Sequence, residues 1–310
     1  MSLNLCVAAI VKDEADSLLE WIAYHRVMGV QRFFIADNES TDGTTEILEA
    51  LAQHGIVHRM PFTTPTEGTG NVQMPAYAAL LSQLRGQCDI AAFIDADEYL
   101  LPMDGATSMM PLLERLFADP EISALGLNWA IFGSGGALFA EDGFVIERFT
   151  KHAKQSFGVH YHIKSLVRPE RIDHFVNPHF VKLSSGRYVT ATGADYVPHP
   201  KHGRGLSDQI VWTGARINHY ATKSLEEFLV GKSRRGSATK KARVKHKKYF
   251  TSHDKNDEEC LVAKQFIPAL QAEYDRLEQL LKATTTIQNE STPNPPPSRW
   301  KALTQRLLQK

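Results

Sequence analysis

The first part of the chain alternates short apolar runs with helix-compatible stretches, and few folds accommodate that pattern. Leu5 to Val11 is an unbroken apolar run, as expected of a strand buried on both faces, and Asp16 through Met28 reads as a helix. Arg32 to Ala36 is a second strand, Asp37 to Gly43 a polar turn, and Thr44 to His54 a helix. Val57 begins a short third strand. After the loop Pro61 to Gly70, a helix from Met74 to Leu84 precedes the apolar run Ile90 to Ile94. Strands alternating with helices over about the first 100 residues predict a mostly parallel sheet with right-handed crossovers. Ligands of such sheets bind at the carboxyl ends of the strands.

The texture changes later. From Leu125 to Val197 the chain has short apolar runs, glycines, aromatics and many histidines, as in an antiparallel or irregular extension beside the sheet. Ser224 to Phe250 is helix-compatible and rich in Lys and Arg. Glu259 to Lys282 has helical apolar spacing at Val262, Phe266, Leu270, Tyr274, Leu277 and Leu281. The expected organisation is a catalytic domain over residues 1–223, divided near residue 105, then a basic helical region over 224–283. A disordered Pro/Thr-rich linker over 284–298 and a short amphipathic helix over 299–310 follow.

Composition excludes several classes. Lys+Arg and Asp+Glu both total 35, so no global charge points to nucleic acid, and neither zinc-ligand spacing nor a ribonucleoprotein aromatic motif is present. No apolar run is long enough to cross a membrane as a helix. Met1 to Val11 lacks a basic n-region and a cleavage site, so it reads as a strand and not as a secretion signal. Three scattered cysteines suit neither a disulfide framework nor a zinc site, and a reducing cytoplasm is the expected compartment.

The chemistry concentrates at Asp95-Ala96-Asp97, which closes the apolar run Ile90 to Ile94. Carboxylates that converge at a strand end repel one another and are costly to desolvate, and a divalent cation relieves both. Oxygen ligands suit Mg2+ or Mn2+, which share their coordination with a substrate diphosphate. An isolated Asp-x-Asp is better explained as a solvated strand end that caps the next helix. Context favours the cation, because the same sheet edge should present Lys12-Asp13-Glu14 and Asp37. Asp37 and Asp42 also suit a turn and a helix cap before Thr44.

These residues carry a resemblance. Val11-Lys12-Asp13-Glu14, Glu20-Trp21-Ile22 with His25, Gly29-Val30 and Asp37-Asn38-Glu39-Ser40-Thr41-Asp42 resemble the nucleotide-binding half of family 2-like glycosyltransferases, and more narrowly the family 92-like branch. Asp13 stands where that pattern has Asn. Asp95-Ala96-Asp97-Glu98-Tyr99 is similar to the branch's metal motif. Phe132 to Gly136, Glu147-Arg148-Phe149, Lys164 to Pro169 and Asn218 to Ser224 follow in the same order, over roughly the first 240 residues. The resemblance implies a GT-A (Rossmann-like) α/β fold, with an irregular acceptor-side extension and a helical tail. It implies a nucleoside-diphosphate-sugar donor, a metal held by Asp95 and Asp97, and inversion at the anomeric carbon. Asp37 would face the nucleoside and Asp13 or Glu14 would line the pocket. His219 would complete the metal site, as a late histidine often does in GT-A enzymes.

Lys164 and Arg168 precede Pro169, so a strand or turn is expected there, and even spacing in a strand would put both on one face toward the diphosphate. A solvated basic edge explains them equally. Among acceptor-side carboxylates, Glu147 and then Asp142 are the candidate general bases; an ion pair with Arg148 is the structural alternative for Glu147. The basic residues between Lys232 and Lys248 read as a solvated face, or as a peripheral contact with an anionic membrane that carries a lipid-linked acceptor. The rival readings are a metal-dependent nucleotidyltransferase or phosphohydrolase, which predicts a Gly-rich phosphate loop absent after the first strand, and a non-catalytic nucleotide- or sugar-binding module.

Overall fold

The computed structural model describes residues 3–64, 72–233 and 247–291, with 285–291 described by backbone alone. β1 (Leu5–Val11), β2 (Val30–Asp37) and β3 (Val57–Pro61) lie parallel, and β4 (Ile90–Phe93) runs parallel along the other side of β1. Every residue of β1 except the half-buried Ile10 is buried, which is why the strand reads as an unbroken apolar run. The connecting helices are α1 (Ala15–Val27), α2 (Thr44–Gln53) and α3 (Gln73–Leu84). The chain leaves β1 for β2 on one side and returns to β4 on the other. The carboxyl ends of β1 and β4 therefore flank the switch point where such sheets open a crevice.

β5 (Glu98–Pro102), α4 (Met110–Phe117), β6 (Ile122–Ile131), β8 (Ile163–Val167), β11 (Arg187–Thr190) and β14 (Ala215–His219) complete the sheet. Among the described residues it has nine strands in the order β3-β2-β1-β4-β8-β6-β14-β5, with β11 also paired to β6. Only residues 94–97 separate β4 from β5, so the curled sheet brings its far edge strand back beside its centre. This is the expected GT-A type of α/β architecture. The sheet runs through both halves of residues 1–223, because β6, β8 and β14 belong to it. Two hairpins stand outside it: β9 (Ile172–Asn177) with β10 (Phe180–Leu183), and β12 (Pro198–His199) with β13 (Gly203–Ser207).

α1 is buried along Ser17 to His25 and braces β5 through side chains. Trp21 Nε1–H donates to Glu98 O at 2.8 Å, Tyr24 O–H donates to Leu100 O at 2.8 Å, and Leu100 N–H donates to His25 Nε2 at 3.3 Å. Burial pushes the His25 imidazole down to about 3, so the ring is neutral and its Nδ1 faces Trp21 O at 2.8 Å. Fully burying aromatic side chains of this size contributes about 1.5–3 kcal/mol each.

β7 (Lys151–His152) pairs with β15 (Glu258–Glu259), and α5 (Val145–Arg148) precedes β7. The Phe132 to Gly136 segment docks there: a Cβ on Gly133 would meet Lys255 O at 2.4 Å, so no larger residue fits. Within the region expected to be basic and helical lie α6 (Leu225–Glu227), capped reciprocally by Ser224 and Glu227, a π-turn over Phe228–Lys232, and α7 (Lys247–His253). Residues 234–246 lie outside the described residues. α8 (Ile267–Ser291) packs on α1 and α2 through buried Leu270, Leu277 and Leu281, and its Glu273 pairs with Arg26. It continues into the stretch expected to be a linker, because Thr284 is buried and 3.1 Å from His54 Nε2. The expected helix over 299–310 lies outside the described residues. No described helix is long and apolar enough to cross a membrane.

Candidate active site

A cleft of about 1400 Å3 opens over the carboxyl ends of β1 and β4. Among the described residues, three that are not glycine adopt positive φ: Asp13 at 52°, Glu39 at 56° and Lys223 at 52°. They sit in the loops that follow β1, β2 and β14, and Glu39 and Lys223 line the cleft. Such conformations cost of order 1–3 kcal/mol each and gather at functional sites. Asp13 is held by its own carboxylate, which accepts Thr41 N–H at 2.7 Å, while Ser40 Oγ accepts the Asp13 N–H at 3.1 Å. Asp tolerates this region better than most residues, as does the Asn of the related pattern.

Asp95 lines the cleft, and the charges behind it are buried. Lys164 Nζ lies 3.0 Å from Asp95 Oδ2 and 3.2 Å from Glu98 Oε2, and Lys164 and Glu98 are wholly buried. Gln73 Nε2 donates to Asp95 Oδ1 at 2.7 Å. Burial pushes the Asp95 carboxyl up, but the Lys164 ammonium more than offsets this and holds it below the usual carboxylate range. Burial, with Asp95 and Asp97 nearby, pushes Glu98 up to about 8 despite Lys164. Its Oε1 is buried without a partner, which also suits the neutral acid. Lys164 thus neutralises Asp95 from beneath the cleft floor.

Asp97 faces a second pair of groups. Its Oδ2 contacts Lys232 Nζ, and its Oδ1 lies 3.4 Å from His219 Nε2. His219 ends β14 opposite Glu98, packs on Trp129 with ring centroids 4.4 Å apart, and has a buried Nδ1 without a partner. Burial lowers its pKa, keeping the ring neutral and its lone pair available. Two carboxylates and a neutral imidazole are a donor set that Mg2+ or Mn2+ accepts. Among the described residues no three His, Cys, Asp or Glu side chains stand grouped to hold a metal, and a lysine contacts each aspartate.

On the opposite wall, Glu20 Oε1 accepts Val145 N–H at 2.8 Å and the Tyr99 hydroxyl at 3.4 Å. Burial pushes its carboxyl up to about 7, partly offset by Lys223 and Arg148. Glu20 had appeared only as part of a motif. The signal was a lone acid within the apolar helical run Leu18 to Ala23. Asp142 and Glu147 are exposed at the cleft. Arg148 pairs with Glu227 at 2.8 Å, not with Glu147.

Lys12, Glu14, Asp95, Asp97, Asp142, Glu147 and His219 all reach the cleft. Asn38 and Glu39 line it where Asp37 does not. Asp37 is buried between Thr45 Oγ1, at 2.6 Å, and Arg59 Nε, at 2.9 Å. Arg168 is a correction. It follows the end of β8 and turns its guanidinium to the carbonyls of Phe117, at 2.7 Å, and Ile122, at 3.0 Å, where it caps α4 far from Lys164's partners.

Among curated proteins, the chain is similar to a glycosyltransferase family 92 protein of Oryza sativa subsp. japonica, 29% identical over 228 residues that cover 73% of this chain and 34% of that one. A family 92 protein of Ricinus communis is 30% identical over 199 residues, covering 60% of this chain and 32% of that one. The chain spans about a third of the length of these relatives. Among solved structures it is similar to the mannosyltransferase PcManGT from Pyrobaculum calidifontis in complex with GDP-Man and Mn2+, with TM-score 0.39 and 13% identity over 99% of this chain and 81% of that chain. The model of Glycosyltransferase family 92 matches residues 2–256, and with that match the chain belongs to glycosyltransferase family 92.

Proposed function

We propose that the chain transfers a sugar from a nucleoside-diphosphate-sugar donor to an acceptor hydroxyl, with inversion. The observation that carries this is the placement of Asp95 and Asp97 at the switch point, between a donor-side wall of Lys12, Glu14, Asn38 and Glu39 and an acceptor-side wall of Glu20, Asp142 and Glu147. Asp97 and His219, with Asp95 beside them, are the residues that would hold Mn2+ or Mg2+. When bound, such an ion supplies positive charge to the departing diphosphate. Lys164 keeps Asp95 ionised, Asp13 shapes the donor loop through Thr41, and Glu20 fixes Val145 and so the wall that carries Glu147. Glu147, or Asp142 beside it, takes the acceptor's proton at its carboxylate.

The acceptor is proposed to be a glycan hydroxyl, free or lipid-linked. A lipid-linked acceptor would bring the basic stretch around Lys232 to an anionic surface, which flotation with acidic and neutral liposomes tests. For the reaction itself, a panel of nucleotide sugars is incubated with manganese and release of nucleoside diphosphate is followed. The expected outcome is manganese-dependent release by the wild type and its loss in Asp97→Ala. Full turnover in the presence of a chelator would sink the proposal.

A further inference from the structure

Each aspartate of the acidic motif already has a cation, but the two lysines differ in kind. Lys164 is wholly buried and fixed between Asp95 and Glu98, so it cannot leave without exposing a charge to the core. Lys232 reaches Asp97 from the cleft side. Its side chain is 20% exposed, that of Asp97 is 21% exposed, and both residues line the cleft with Tyr249. Lys232 lies at the end of the π-turn over Phe228–Lys232, a backbone irregularity that often marks functional positions. The turn is anchored by buried Phe228, and the Lys232 ammonium stands 5.8 Å from the centre of the Tyr249 ring. The base of the side chain is therefore held while its end reaches Asp97 at the cleft on a flexible four-carbon stem.

We propose that Lys232 is an exchangeable counter-ion, which occupies Asp97 when the cleft is empty and passes to the donor's diphosphate when a divalent cation takes its place. The inference rests on the metal-dependent transfer reading. A cation entering beside His219 competes with the ammonium for the same carboxylate, and the displaced ammonium is left next to the position where phosphate oxygens gather. Lys232 thus lowers the affinity of the empty site for metal and raises that of the metal-loaded site for diphosphate. Metal and nucleotide then bind together more readily than either alone.

The test is calorimetric titration of the full chain with manganese alone, and then with uridine and guanosine diphosphates at saturating manganese. Wild type is compared with Lys232→Ala and with Lys232→Met, which keeps the packing on Tyr249. The expected result is opposite in sign for the two ligands. Both variants bind manganese about fivefold more tightly, the upper end for a partly exposed ion pair. Both bind whichever nucleoside diphosphate the wild type accepts about tenfold or more weakly, as expected for loss of a charge-assisted contact to phosphate. Unchanged or weaker manganese binding in both variants, with the wild type binding normally, overturns the exchange and leaves the transfer reading standing. A wild type that takes up no manganese with or without nucleotide overturns the metal site and the exchange together.

Discussion

Lys164 holds Asp95 through a side chain with no exposure, its Nζ 3.0 Å from Asp95 Oδ2, and this pair keeps Asp95 ionised. Lys164→Met should leave the inner oxygen of the part-exposed Asp95 and the buried Glu98 without their shared donor and destabilise the fold by about 1.5–3 kcal/mol. Donor turnover should fall with it. Arg168→Gln, on the same segment, should cost about 1.5–3 kcal/mol through its lost carbonyl contacts and leave kcat/KM unchanged. Urea denaturation with donor kinetics on both variants makes the comparison, and a catalytic defect in Arg168→Gln would contradict the placement of its guanidinium on α4.

His219 Nε2 lies 3.4 Å from Asp97 Oδ1, and the proposed reaction has the two share a cation. His219→Ala should weaken manganese binding by about tenfold or more, a typical loss when a metal's supporting residue is removed, and lower the thermal transition through the cavity left beside Trp129. Electron paramagnetic resonance of free manganese measures this directly. Equal manganese binding in the two proteins would assign His219 to packing against Trp129 alone.

Glu20 makes a pH-dependent contribution whose sign is the reverse of a salt-bridged acid. Its carboxyl titrates near 4.5 when unfolded and at about 7 when buried. Between these values the unfolded chain has lost the proton and the folded chain keeps it, so stability from this group falls as pH rises from 4.5 to 7. The penalty is complete above pH 7 and amounts to about 3 kcal/mol. Glu20→Gln has no such titration. Its stability relative to wild type should climb by that amount between pH 4 and pH 8, as read by denaturant midpoints; a difference independent of pH would show that Glu20 is solvated.

Glu147 is exposed at the cleft, and Arg148 pairs with Glu227. Glu147→Gln should lower kcat by about 10²–10⁴, the usual worth of a general base, with donor KM and manganese affinity close to wild type. Asp142→Asn is its companion. If Asp142→Asn loses turnover and Glu147→Gln keeps it, the proton goes to Asp142.

What the sequence revealed depended on distance along the chain. Strands buried on both faces appear as apolar runs, so β1, β2 and β4 were readable, and with them the strand end that carries Asp95 and Asp97. The partners of those acids were not. Lys164 meets Asp95 across 69 positions and Lys232 meets Asp97 across 135, and no local periodicity records such pairings. His219 was reached only through resemblance to related enzymes. The resemblance implied that Asp37 faces the nucleoside, yet β3 places Arg59 beside it and the pair is satisfied inside the protein. Arg168 was read on strand spacing, and β8 ends one residue too early for that spacing to hold.

The central position of β4 has a consequence for how the chain reaches its native state. Its one side is filled by β1, made early, but its other side waits for β8, and the counter-charge to Asp95 arrives on that same strand. A growing chain that has released only its first hundred or so residues carries the acidic triplet with an open sheet edge and an uncompensated carboxylate. Residues 1–105 thus lack a partner strand and a counter-charge that only β8 supplies, and they should unfold in a single transition with residues 106–223.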